Sequence, residues 1–329
     1  MGGYHSLLAL GTFGAVLVQA CAPVRLSPPQ PVRTVADSPG DPWRPERAAV
    51  VAQINGARAE LGLPPLAYDS TLERVGDLHC RILIDEDGDG HFSRSGVPPY
   101  LRYLLAGGHG FHRENVGSYS TTGTVVGSAL ARILSTSVED MLAEVPPDDG
   151  HRRSLLDPWV TNVGVGLVVR GGEVRMTHEL ATEVTQSWAP PPSAAAPGTL
   201  VSLSGWLAKP WQPEAVEVLW EELPRPLSDA RLRAIRAYGY PERRSMFHAN
   251  RSSTPNSMPA FTVDGFGSFR YRWATGPHEG VEIVLLWARH GEGRQLVPVA
   301  VSGTVVVAKT ELSPELALWQ GLGGSTTRP

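Results

Sequence analysis

Cysteine and lysine are nearly absent from this chain. Its 329 residues include two cysteines, Cys21 and Cys80, and two lysines, Lys209 and Lys309. At most one disulfide is open to it, and Cys21 stands at the head of a proline-rich leader with a different use available. Cys80, inside a helical pattern, is then expected as a small buried thiol and not as a nucleophile. The scarcity of lysine leaves arginine to carry almost all the positive charge, which with abundant Gly, Ala and Pro reflects base-composition bias. An excess of positive charge is missing too: the net charge is −4, which excludes an electropositive nucleic-acid surface. No apolar run suits a membrane span, because residues 6–18 ("SLLALGTFGAVLV") are too few and too rich in glycine. No internal repeat is present.

What is present fits an exported, folded protein. Hydrophobic residues make up 42% and charged residues 19%, and the length allows two ordinary domains. The apolar run leads into Val18-Gln19-Ala20-Cys21, which resembles a bacterial lipobox, where the cysteine thiol is lipidated before cleavage. Lys and Arg are missing ahead of the run, so an ordinary secretory signal is the alternative. The expectation is a signal peptide over 1–20, lipidation and membrane anchoring at Cys21, and a Pro-rich tether over 21–44.

A first domain is expected over 45–188, a Pro/Ala linker over 189–198 ("APPPSAAAPG"), an all-β domain over 199–310 and a flexible tail over 311–329. In the first domain, Val50, Val51, Ile54, Ala57 and Leu61 follow a helical period. Pro64-Pro65 stops that helix, and Asp69-Ser70 can cap a second through "TLERVGDLHCRILI". A third helix lies in "VVGSALARILSTSVEDMLAEV", and "NVGVGLVVR", "EVRMTHEL" and "TEVTQSW" read as strands. Short strands such as "TLVSLSGWL", "AVEVLWEEL" and "VEIVLLWARH" predict a β-sandwich of immunoglobulin-like type in the second domain.

The stretch "DEDGDGHFSRSG" (85–96) raises a calcium question. Asp85, Asp87, Asp89 and Gly90 occupy positions one, three, five and six of an EF-hand-like loop. The twelfth position is Gly96, which has no carboxylate, and Pro98-Pro99 spoil the second helix. Ca2+ at these acids is therefore a weak candidate beside a solvated turn that ends a helix.

Several segments of the first domain, in order, resemble the CAP superfamily of cysteine-rich secretory, antigen 5 and pathogenesis-related 1 proteins. They are "INGARAELGLPPLAYDSTLERVGDLHC", "GHF" at 90–92, "RENVG" at 113–117, "DGHRRSLLDPWVTNVGVGL" at 149–167 and "TEVTQSW". The resemblance implies an α-β-α sandwich with a central cleft lined by two histidines and two acids. Carried over by position, these are His91, His151 and Glu114, with Glu144 in Met141-Leu142-Ala143-Glu144 as the second acid and Glu139 as its rival. The family's usual disulfides are absent, as in a bacterial branch.

Two neutral imidazoles can hold Zn2+ or another divalent ion, and nearby carboxylates can fix their tautomers. The same four residues can polarise a water for hydrolysis, with Glu114 as general base, or form a buried polar network that only organises the cleft. No nucleophile motif is evident, and no aspartate is placed for a Ser-His-Asp arrangement near Ser118 and Ser120. The expected function is an exported protein binding a metal, a small molecule or a lipid in the cleft without turnover. A metal-dependent hydrolase and an inert envelope scaffold are the alternatives. His79 beside Cys80 reads as one core and one surface position of a helix, and the loop histidines His109 and His112 as solvated. Tyr100, Arg102 and Tyr103 read as packing or a groove wall, and Trp159 as packing. Trp206, Trp211, Trp220, Trp273 and Trp287 read as sandwich core or an aromatic binding face.

Overall fold

The computed structural model describes residues 41–249, 259–309 and 311–323. The expected signal peptide, Cys21 and nearly all of the tether lie outside the described residues.

Helix α1 (Arg44–Glu60) starts with a proline in its first turn, where the missing N–H costs nothing. After the short strand β1 (Ala67–Tyr68), α2 (Ser70–Glu86) is capped by Asp69, whose carboxylate accepts from the N–H groups of Thr71 and Leu72. Two prolines open α3 (Pro99–Leu105), followed by β2 (Phe111–Ser120), α4 (Gly127–Ala143) and α5 (Gly150–Leu155). The hairpin β3 (Asn162–Arg170) and β4 (Glu173–Thr182) completes a sheet of order β1-β3-β4-β2, which leaves β2 on an edge. Helix α2 lies against β3 because glycines meet there: a Cβ on Gly166 would sit 2.2 Å from the Gly76 carbonyl carbon. A core of Ile54, Leu130, Val138, Leu155, Val165 and Leu180 fills the space between the sheet and α1, α4 and α5.

The second unit has strands β5 (Thr185–Ala189), β6 (Ala194–Ala195), β7 (Leu200–Leu207) and β8 (Trp211–Glu221), then helix α6 (Asp229–Ala234). It continues with β9 (Arg243–His248), β10 (Ala260–Val263), β11 (Ser268–Ala274), β12 (Gly280–His290), β13 (Leu296–Val306) and helix α7 (Pro314–Gln320). Its two sheets have the orders β10-β11-β7-β5 and β6-β13-β12-β8-β9. Alternate residues of β7 and β11 (Val201, Leu203, Phe269, Tyr271, Trp273) meet Val216, Val284, Leu286 and Val299 of the facing sheet.

The five-stranded sheet is buried on its other face as well. Leu219, Val281, Ile283, Leu285, Val301 and Val305 join Leu72, Val75, Leu101, Tyr103 and Trp319 in one cluster with α2, α3 and α7. That explains the almost unbroken apolar run of β12, since a strand covered on both faces has no polar side to alternate. The two units share a core.

Three boundary expectations are corrected. "TEVTQSW" does not close the first sheet: β5 pairs with β7 in the second unit. The linker is held by β6, which pairs in parallel with β13. The expected flexible tail contains α7, whose Trp319 is 1% exposed; an indole covered by two layers supplies enough apolar burial to order a short terminal helix.

Candidate functional site

The cleft histidines are held by a scaffold of donors to backbone carbonyls. At the end of α2, Asp87 turns the chain with a left-handed φ of 54°. The following loop is pinned by Arg175 Nε to Gly88 O (2.7 Å), His79 Nε2 to Gly90 O (3.0 Å) and Arg102 Nη1 to His91 O (2.8 Å). This loop delivers His91, whose Nδ1 lies 3.0 Å from Glu114 Oε1 on β2. The other oxygen of Glu114 pairs with Arg102 Nη2, and both side chains are fully buried.

A second imidazole–carboxylate pair forms between α4 and α5. His151 Nδ1 is 2.5 Å from Glu144 Oε1, while Glu144 Oε2 accepts from the backbone N–H of His151 (2.9 Å) and Arg152 (3.2 Å). Glu139 is instead exposed and bonds Ser135 one turn back on α4. The structure thus brings His91 to Glu114 and His151 to Glu144, and brings Glu139 to neither histidine.

Alternation along β2 separates the two pairs. Glu114 and His112 point toward α2 and α3. Asn115 and Gly117 point toward α4 and α5: Asn115 Nδ2 donates to His151 O (3.2 Å), and a Cβ on Gly117 would lie 2.8 Å from Ser137 Oγ. His91–Glu114 and His151–Glu144 therefore approach the edge strand from opposite faces.

The two halves also differ in cover. A segment between β8 and β9 runs over the first half of β2. Tyr238 Oη accepts from the N–H of Glu114 (2.5 Å) and Tyr240 Oη from that of His112 (3.3 Å), closing an otherwise open sheet edge. The Tyr238 ring packs edge-on to His91 at 4.7 Å, and Tyr240 stacks on Tyr100 and Phe111. Beyond that cover, Val116–Tyr119 border a cavity of about 560 Å³. Ile133, Met141, Val174 and Met176 give it apolar walls, with Glu144 and His151 among its polar lining.

Beneath His91 lies a buried network with no local signature in the sequence. Glu179 on β4 is the cross-strand partner of Glu114, and its Oε2 is 2.8 Å from His112 Nε2. Burial raises the Glu179 pKa far above the usual carboxylate range, and the neighbouring Glu114 charge adds to this. Burial would also raise Glu114, but the Arg102 guanidinium, with the hydrogen bond to His91, holds it well below its ordinary value. Burial depresses His79 and His112 to about 3 and His178 to about 4, with the Arg102 charge acting on the first two and His151 on the third. His79, Cys80 and His112 are all buried, which corrects the solvated reading of His112 and the surface position expected beside Cys80.

These shifts fix a pH dependence. His79, His112 and His178 stay neutral when folded and take up protons on unfolding below about 6.5, so stability falls as pH falls. Glu73 and Glu221 (each raised to about 7) and Glu179 are protonated when folded and ionise on unfolding above about 4.5, so stability falls as pH rises. Three protons in each direction nearly cancel between those limits. Thermal melts should show a plateau from about pH 4.5 to 6.5, with losses on both sides and a steep acid limb, because Glu114 joins the three histidines in taking up a proton on unfolding below about pH 4.5. Stability still climbing above pH 7 would contradict this assignment.

The donor set does not fit a resident zinc ion. Among the described residues, no three His, Cys, Asp or Glu side chains gather into a metal-binding group. Each cleft imidazole is braced at Nδ1 by a carboxylate. Only one nitrogen per ring is left, on opposite faces of one strand, where a resident site needs three or four protein ligands. The calcium acids also diverge: Asp85 is in the last turn of α2, paired with Arg170 at 2.6 Å, and Asp87 caps that helix.

Residues 51–178 match the model of the cysteine-rich secretory protein family, CAP. This stretch is a CAP domain. No curated protein sequence matches the chain. Among solved structures, an extracellular protein with an SCP domain from Bacillus anthracis is 21% identical (TM-score 0.31) over 43% of this chain and 44% of that one. The chain thus spans less than half of that relative's length. An outer surface protein from Borrelia burgdorferi is 17% identical over 43% of this chain and 94% of that one, with TM-score 0.33. Manganese-bound Ac-ASP-7 is 20% identical over 43% of this chain and 70% of that one, with TM-score 0.28. Among the described residues, no helix of the chain is long and apolar enough to cross a membrane.

Proposed function

We propose that this is an exported, lipid-anchored CAP-domain protein of a bacterial envelope that binds a small amphiphilic or lipid ligand without turnover. The observation that carries this reading is the inequality of the two half-sites. One histidine–acid pair lies under Tyr238 and Arg102, its His91 ring reaching only a small polar pocket of about 150 Å³, while the other borders a roomy, largely apolar cavity. An amphiphile fits that lining: its apolar body against Met141, Met176 and Ile133, its polar head at His151 and Glu144. Hydrolysis with Glu114 as general base is disfavoured, because a carboxylate held ionised by a buried guanidinium accepts a proton poorly near neutral pH.

The second unit reads as an immunoglobulin-like sandwich. The order β5-β7-β11-β10 and, beside the added strand β6, the order β13-β12-β8-β9 support that reading. It would serve surface contacts while its β8–β9 segment covers the His91–Glu114 half-site.

Binding is tested with a fluorescent fatty-acid probe on the full chain. Ser137→Trp fills the cavity and should abolish probe binding, and His151→Ala should weaken it about tenfold, the loss of one charged or polar contact. Unchanged binding by Ser137→Trp would place the ligand elsewhere. For the anchor, Cys21→Ala should release the protein from membranes, and unchanged retention would defeat lipidation at that residue.

A further inference from the structure

A second cavity, of about 720 Å³, lies in the β-sandwich, lined by none of the cleft residues His91, Glu114, Glu144 and His151. Trp206, Trp211 and Phe266 line it, together with the polar side chains of Gln186, Gln212 and Lys209. Trp206 is 47% exposed and Phe266 is 95% exposed, which is unusual for large aromatic rings of a folded chain. The Trp206 indole and the turn that carries Phe266 are both held by hydrogen bonds. Trp206 Nε1 donates to Gln186 Oε1 at 3.1 Å, fixing the indole plane. Phe266 stands at the tip of the β10–β11 hairpin, where Asp264 Oδ1 accepts from the N–H groups of Phe266 and Ser268, both at 2.9 Å. Trp211 is braced by Trp159 of the CAP domain in an edge-to-face contact at 5.2 Å.

We propose that this groove binds a β-linked glycan. A hexopyranose with equatorial hydroxyls has flat C–H faces and a hydroxyl rim. Aromatic rings match the faces, and the amides and ammonium match the rim. With Lys209 as the only cation of the lining and Asp264 beside it, the groove is poorly suited to a polyanion. Its concave, half-polar lining also differs from the continuous apolar tip that inserts into a bilayer.

The test is calorimetric titration of the full chain with chito-oligosaccharides and cello-oligosaccharides. A parallel arm uses co-sedimentation with phosphatidylglycerol vesicles. The wild type should bind at least one glycan series. Trp206→Ala and Phe266→Ser should each weaken binding tenfold or more at unchanged melting temperature, and Trp220→Ala, on the other sheet, should not. Phe266→Ser keeps the test decisive if Trp206→Ala perturbs folding, because that ring packs on almost nothing. Wild-type protein that binds neither series overturns the proposal. So does glycan binding indifferent to Trp206 and Phe266, or vesicle binding that is the property lost with Phe266.

Discussion

Trp319→Ala should lower the unfolding free energy by about 3–5 kcal/mol, the cost of truncating a buried aromatic side chain to alanine. The indole is 1% exposed. It packs in the cluster that joins α2 and α3 of the CAP domain to the five-stranded sheet, and the Arg102 guanidinium carbon lies 5.5 Å from its ring centre. The effect should therefore reach both units. Denaturant unfolding followed by two probes, one in each unit, should show a single shifted transition. A loss confined to the sandwich, with the CAP domain unfolding as in wild type, would contradict the shared core.

Arg102→Met should cost a similar amount, about 3–5 kcal/mol, because it leaves a buried carboxylate without its partner. Arg102 also donates to the carbonyls of His91 and Val97, so its loss frees the loop that carries His91. The compensating pair Arg102→Met/Glu114→Gln should recover much of that stability by removing the orphaned charge. A double variant no more stable than Arg102→Met alone would mean that the carbonyl contacts, not the ion pair, dominate. Urea melts of the three proteins at pH near neutrality decide this.

The sequence was legible where local pattern and structure share a cause. Apolar spacing located α1, α2 and α4, and Asp69 caps α2 as its position ahead of the helix suggests. The two β-segments "NVGVGLVVR" and "EVRMTHEL" of the CAP domain became β3 and β4 in the expected places. His91, Glu114, Glu144 and His151 were nameable from ordered motifs, but their split into two half-sites was not. It depends on the parity of β2 and on Tyr238, which is 124 residues from Glu114 in the chain. Arg102 looked like groove wall because nothing in "PPYLRYLLAGG" indicates the carboxylate it meets across the sheet. Helix α7 was missed because the helical repeat of Leu312, Leu316, Trp319 and Leu322 is short and runs into a glycine-rich terminus. His112 was misread as solvated because it ends the glycine-rich run "GGHGFH", whereas it belongs to the edge strand and its ring stacks on Tyr103 at 4.8 Å.

The central claim, an open His151–Glu144 half-site beside a largely covered His91–Glu114 half-site, is tested most directly by imidazole NMR during a fatty-acid titration. The full chain is labelled with nitrogen-15 at histidine, and His91→Gln and His151→Gln variants assign the two rings. The account predicts that the His151 ring resonances move with saturation while those of His91 stay in place. Movement of His91 alone, or of both rings together, would contradict it.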